Sequence, residues 1–381
     1  MNNKVINKVL ILLLAMFMVL GNSSVGYADA AVITIEQARA LALENSRALQ
    51  KHEINVKKAK YQKQQADRQL DDAIARYNSI GSKLGDDYSD SLLNQLDSQY
   101  DKVEAAFDSI NATENNYDDA VKDEENYQQQ LGYLVEEIYT SILMQEAALQ
   151  KLNKEYELKQ YLLTMERQKL ALGSSSQYNV DELARGLTEL NKSIIEQNHS
   201  IKTKKGQLND MMGRGYDEEL QLVPFEVKAT LEIPEYESLL SDVTYSSVQL
   251  ARIKRDLREL DDDYDDETDY YKSLILSQEI KAKELELAEQ TVALYETVNN
   301  LLSQAKLKQE DYQIALNNYR NAQKTYEWAK KRYELGQISK LALLESEINY
   351  LNMQNQKNTA GYNLYLTQSI LQLAAKGILN N

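Results

Sequence analysis

The chain has 381 residues, no cysteine, two prolines and a formal charge of −16. The missing cysteines exclude disulfides, thiol nucleophiles, thiolate metal sites and a lipid anchor on an N-terminal cysteine, and the acidic balance, with both signs well mixed, argues against nucleic acid and against docking on an anionic membrane. Twenty-six tyrosines against three phenylalanines, with so few prolines, suit long helices with amphipathic seams.

Lys4 and Lys8 precede an apolar run from Val9 to Leu20 and a polar stretch ending Ala28-Asp29-Ala30. That order predicts an export signal over residues 1–30, its apolar run too short to span a bilayer. No later segment approaches eighteen apolar residues, so no transmembrane helix is expected.

Val32 to Ala38 opens the first helix, with Thr34 a cap before Glu36 and Gln37. Apolar or small residues then recur at heptad spacing, Leu49, Val56, Leu70, Tyr77 and Leu84 in one series and Ala59, Ala66, Ala73 and Ile80 in the other. His52 shares the alanine seam and reads as a packed or hydrated side chain rather than a ligand. Gly81, Gly85 and Asp86-Asp87 mark a turn over 81–87.

The longest regular feature follows. Leu93, Tyr100, Phe107, Val121, Val135, Ile142, Leu149, Tyr156, Leu163 and Leu170 share one seven-residue register, broken only at Glu114 and Gln128. At ~1.5 Å per residue this predicts a rod of roughly 125 Å, supercoiled left-handedly against its neighbours. Gly173 ends it, and the chain returns through Val180, Leu187, Ile194, Ile201 and Leu208 to Gly213, with His199 off the seam. Pro224 and Pro234 bracket a linker over 214–234.

The second half repeats the plan over 235–381. Leu250, Ile253, Leu257 and Leu260 stand where the first helix stood roughly two hundred residues earlier. The acidic run Asp261 to Asp269 follows; it lacks the glycine of a calcium loop and reads as a solvated turn over 261–269 rather than a cation site. A descending seam of Tyr312, Tyr319, Tyr326 and Tyr333 faces small alanines, with Trp328 just above the next bend, and packing explains both without a ligand. At an offset of 163 residues Val135/Val298, Tyr156/Tyr319, Leu172/Leu335, Gly173/Gly336, Ser176/Ser339 and Glu182/Glu345 are identical, so residues 31–213 and 235–381 read as a duplicated unit. Each unit centres on a helix, a tight glycine turn (173–178 and 336–341) and a return helix. A hairpin with no further role accounts for the same turns. Neither 81–87 nor 261–269 has room for strands of about 9–11 residues, so no membrane barrel is expected.

The stretch Tyr333-Glu334-Leu335-Gly336-Gln337-Ile338-Ser339-Lys340-Leu341-Ala342-Leu343-Leu344-Glu345, the opening Ile35 to Asn45 and the earlier turn Leu172 to Val180 together resemble the TolC family of envelope efflux ducts. The resemblance implies an all-α, TolC-like coiled-coil barrel made by three chains. Its turns would face an adaptor (membrane fusion) protein and an inner-membrane ABC or RND pump. It implies docking through the tips, at Gly173, Ser174, Ser176, Gly336, Ile338, Ser339 and Leu341. It also implies acids at the duct mouth, for which Asp181, Glu182 and Glu345 are the candidates; Ala342 stands where the family places a second acid beside Glu345. The missing strand hairpins are the main departure. Bulky replacement of the tip serines, Ser176→Leu with Ser339→Leu, is expected to leave stability within ~0.5 kcal/mol.

The reading is therefore an exported homotrimeric conduit of an efflux or secretion system, in the outer membrane or periplasm, with no cofactor, no metal, no nucleic acid and no catalysis. The alternative is an exported coiled-coil structural or binding protein of the cell envelope without a pore.

Overall fold

The computed structural model describes residues 31–83 and 89–379. The expected signal over 1–30 and residues 84–87 of the first upper turn lie outside the described residues. In chain order the elements are β1 (Ala31–Ile33), α1 (Ile35–Asn45), α2 (Arg47–Gly81), α3 (Asp90–Ala171), α4 (Gln177–Met211), β2 (Leu220–Leu222), α5 (Tyr236–Ser246), α6 (Val248–Asp266), α7 (Tyr270–Glu334) and α8 (Lys340–Ala374).

Thr34 caps α1 through a reciprocal box: its hydroxyl accepts from the Gln37 N–H at 3.3 Å, and the Gln37 side chain accepts from the Thr34 N–H at 2.9 Å. The first helix is split where one continuous helix was expected. Ser46, extended at ψ 121°, stops α1 and caps α2 through the Leu49 N–H. Ser247, at ψ 110°, does the same between α5 and α6 through the Leu250 N–H. Both serines are buried, so each bend sits inside the packing. The order short helix, ascending helix, long helix, return helix thus occurs twice.

The long helices are the spines. α3, at 82 residues, carries α2 along its upper half, where Tyr77 meets Tyr100 at 6.2 Å, and α4 along its lower half, where Gln197 donates to the Gln145 carbonyl at 3.1 Å. α7, at 65 residues, carries α6 above, through Lys283 and Asp256, and α8 below, through Tyr319 and Tyr350. Below, α3 packs on α8, with Asn355 donating to the Ala147 carbonyl at 3.0 Å and Lys154 paired to Glu347 at 3.3 Å. Above, α3 and α6 are bridged by long charged side chains: Arg255 binds Asp119 with two bonds of 3.1 Å, and Arg252 reaches Asp123 at 2.9 Å. Desolvation pushes the Asp119 carboxyl up, and the hydrogen bonds from Arg255 and Arg252 outweigh it and hold the group below the usual aspartate range.

The return helices α4 and α8 have the same length, 35 residues, but the upper pairs do not match. α2 has 35 residues against 19 in α6, and α3 has 82 against 65 in α7. At 1.5 Å per residue the first upper hairpin rises ~24 Å above the second. Leu93, Tyr100 and Phe107, read as part of a buried seam, are exposed. Over that height α3 has α2 for a neighbour but has outrun α6. The acidic run is helical through Asp266, which narrows the bend to 267–269, and Asp269 caps α7 through the Tyr271 and Lys272 N–H groups.

Among the described residues the strands are β1 and β2 alone, parallel, with Ala31 opposite Leu220 and Ile33 opposite Leu222. They lie against α3 beside a buried cluster of Leu131, Val135, Tyr139, Ile142, Leu208 and Met212. The Tyr139 hydroxyl ties them down, donating to the Ile33 carbonyl at 2.8 Å and accepting from the Val223 N–H at 2.9 Å. Burial raises this phenol to about 12, so it stays protonated and donating throughout the physiological range. Tyr139→Phe is expected to cost about 1–2 kcal/mol in a denaturant titration, because both backbone groups lose a buried partner.

The two halves also meet at a buried carboxylate. Glu136 of α3 is 4% exposed. It accepts from Arg39 of α1 at 2.9 Å, from the Tyr365 hydroxyl at 2.9 Å and from the Ser369 hydroxyl at 2.5 Å, the last two on α8. Burial first, and Glu136 next, push the Tyr365 phenol up, so its proton stays on the hydrogen bond. His52 stacks on Tyr127 at 4.5 Å.

Candidate functional site

Two helical hairpin tips, α3–α4 and α7–α8, share one backbone design. In each a leucine ends the helix, a glycine turns left-handed, two residues follow, and a serine starts the next helix. Gly173 has φ 72° and Gly336 φ 68°, a conformation that strains any side chain with a Cβ. The carbonyls left over at each helix end are met in the same way. The Gly173 and Ser174 N–H groups bind the Leu170 and Lys169 carbonyls at 2.9 and 2.8 Å, and the Gly336 and Gln337 N–H groups bind those of Tyr333 and Arg332 at the same distances. Ser176 then accepts from the Asn179 N–H at 3.3 Å and Ser339 from the Ala342 N–H at 3.2 Å.

This geometry revises the expected cost of changing the serines. Both are exposed, but both are N-caps, and losing a cap costs ~1 kcal/mol each. Ser176→Leu with Ser339→Leu would therefore weaken the tips themselves and does not separate docking from folding. Exposure alone does not make a capping serine neutral, so the cost exceeds ~0.5 kcal/mol.

Leu172 and Leu335 fill that gap. They sit at matched helix ends and are 83% and 71% exposed, so the fold gains little from burying them. Their identity at the 163-residue offset is the signal in the sequence, and it marks the repeat without marking the two side chains as a surface. The residues around the two leucines differ. At the first tip Ser175 binds Glu166, which also takes Lys169 at 3.0 Å, and the Ser175 bond, then that of Lys169, lowers the Glu166 carboxyl. At the second tip Ile338 takes the place of Ser175 and is half-buried, as is Leu341. It lines a groove of about 520 Å³ with Trp328, Ala329, Arg332 and Ala342. One tip is polar and internally bonded, the other apolar and open.

Asp181, Glu182 and Glu345 are exposed on the helices just past the tips. Asp181 accepts from the Gln177 side chain at 2.7 Å. Ser174 returns its hydroxyl to the Lys169 carbonyl at 3.0 Å. Among the described residues no group of three or more His, Cys, Asp or Glu could hold a metal, and no helix is long and apolar enough to cross a membrane.

No protein-family model and no curated protein matches the sequence. Solved structures do match the fold. The Campylobacter jejuni CmeC outer membrane channel superposes with a TM-score of 0.54 at 14% identity, over 95% of this chain and 92% of that one. CusC, described by its transmembrane channel formation, gives 0.54 at 12% identity over 94% and 96%. The open-state MtrE outer membrane channel of Neisseria gonorrhoeae gives 0.51 at 12% over 91% and 89%. The chain therefore has the fold of TolC-like outer-membrane channels, in an all-α form without barrel strands among its described residues.

Proposed function

We propose that the chain is a passive conduit of a tripartite efflux or secretion assembly in the cell envelope, exported and placed in the outer membrane or periplasm. Three copies close into a hollow helical cylinder. The tips dock an adaptor protein that joins the cylinder to an inner-membrane ABC or RND pump, and selection of the solute rests with the pump. Asp181, Glu182 and Glu345 surround the lower mouth. No catalytic role forms part of this reading.

The observation that carries this reading is the pair of like-built tips at one end of a channel fold, each presenting a leucine that the chain itself does not bury. The test uses Leu172→Gln with Leu335→Gln, which removes the apolar surface without placing a negative charge at the C-terminal end of a helix. The variant is expected to keep its assembly state and its unfolding midpoint, since exposed changes cost within ~0.5 kcal/mol each. Cross-linking to the adaptor of the same genome is expected to fall at least tenfold. Equal capture by variant and parent would remove the docking role. A parent that light scattering shows to be a fully helical monomer across micromolar concentrations would remove the conduit and leave an exported coiled-coil protein without a pore.

A further inference from the structure

At the waist of the molecule α3, the bend between α5 and α6, and the end of α8 border a cleft of about 650 Å³. Its wall is cationic in a chain that carries −16 overall. Arg252, Arg255 and Arg258 line it from α6, Lys122 from α3 and Lys376 from the segment after α8. Among the described residues the carboxylates in this wall are Asp118 and Asp119.

Pairing within the chain leaves part of this charge uncompensated. Asp119 takes Arg255, Asp123 takes Arg252, and Glu125 takes Lys122 at 2.6 Å. Arg258 meets no carboxylate among the described residues, and its Nε donates to the Lys254 carbonyl at 3.3 Å. Lys376 donates at 2.6 Å to the side chain of Gln129, a neutral amide. Even the paired arginines are not saturated. The Nε–H groups of Arg252 and Arg255 are buried without a hydrogen bond, although that of Arg252 stands 3.1 Å from Asp119.

The two uncompensated cations stand at opposite ends of the cleft. Lys376 is at the bend, where the Ser246 hydroxyl donates to the neighbouring Ala375 carbonyl at 3.4 Å. Arg258 lies eleven residues up α6 from Ser247, a rise of ~16 Å, with Arg252 and Arg255 between. A single anion held at one end leaves the other unmatched, so the wall fits negative charges in series. The planar forks of the arginines match phosphate oxygens, and the first turn of α6 adds the positive end of a helix dipole. At the rim the Tyr245 ring is 93% exposed and offers a flat apolar face to a sugar ring. It is the one aromatic among the described lining residues, whereas single-stranded nucleic acid is held on successive rings.

We infer that this cleft binds a linear phosphodiester polymer of sugar or polyol units, an acidic component of the envelope in which the chain is placed above. The polymer runs along α6 from Lys376 to Arg258 and ties the waist of the molecule to its surroundings. The 35 residues of α8 separate this site from the second tip, and it needs neither adaptor nor pump. Its failure therefore leaves the conduit standing.

The test titrates the purified chain at low salt with a glucosylated poly(glycerol phosphate) oligomer long enough to span the cleft. Arg258→Gln with Lys376→Gln removes the two uncompensated cations without opening an ion pair, and the unfolding midpoint is expected to stay at the parent value. Affinity is expected to fall at least tenfold, and the slope of log affinity on log salt to fall by about one. Lys57→Gln with Lys60→Gln takes the same charge from exposed positions on α2 and is expected to bind as the parent does. A parent that does not bind, equal losses in both variants, or no loss in the first overturns the site. Inorganic phosphate binding as tightly as the oligomer overturns the charges in series. Single-stranded oligothymidylate binding as tightly overturns the sugar or polyol polymer as the ligand.

Discussion

Gly377→Ala is expected to destabilise the chain by roughly 3–5 kcal/mol, where Gly336→Ala costs about 1–2 kcal/mol. Both glycines are left-handed, at φ 76° and 68°, so the backbone strain is shared. Their surroundings differ. A Cβ at 336 meets nothing within 4 Å, whereas a Cβ at 377 overlaps the Ser246 carbonyl oxygen, a backbone atom that cannot swing aside. Gly213 has the equivalent place in the first half, where a Cβ would stand 2.5 Å from that of Asn45. In each half the end of the return helix is thus pressed into the bend between the short and the ascending helix. Chemical denaturation of the three single variants checks this. Equal losses at 336 and 377 would show that the close approach contributes nothing.

Glu136→Ala is expected to cost about 3 kcal/mol, the range for opening a buried, hydrogen-bonded carboxylate cluster. Tyr365 would keep a hydroxyl with no acceptor, and Ser369 would fall back on the Tyr365 carbonyl at 3.5 Å. Arg39 is 45% exposed on its side chain and can turn to solvent, which keeps the loss below the upper end of that range. Because Glu136 joins α3 to α8, the loss should appear as uncoupling of the two halves. Unfolding followed separately at Trp328 and by far-ultraviolet dichroism is expected to coincide in the parent and to separate in the variant. Coincident curves with an unchanged midpoint would show that the cluster is neutral.

The tips were legible because their chemistry is local. A left-handed turn asks for glycine and a helix start asks for serine, and Gly173, Ser176, Gly336 and Ser339 state both needs within four residues. The upper half was legible only in part. Ser46 and Ser247 stop helices that neither glycine nor proline interrupts, and a serine in a heptad pattern reads as an ordinary polar position. Asp261 to Asp266 stay helical at a C-terminal end, against the helix dipole, so a turn was the natural reading. Leu93, Tyr100 and Phe107 keep the register of the buried seam below them. Periodicity reports a face and not whether a neighbour reaches it, and the shorter α6 is what leaves them open. The Glu136 cluster brings together Arg39, Glu136, Tyr365 and Ser369, with the Ser369 partner 233 residues from Glu136, and nothing local announces it.

The unequal upper hairpins have a consequence for the outlet of the proposed ring. Threefold rotation alternates three tall pairs of helices with three short ones, so the rim is crenellated rather than level. Between the tall pairs stand three side windows, each ~24 Å high. In that proposed ring a solute rising through the cylinder would meet these windows before the summit and would leave radially. A lid seated on the three summits would cover the axis and still leave the duct open to its surroundings.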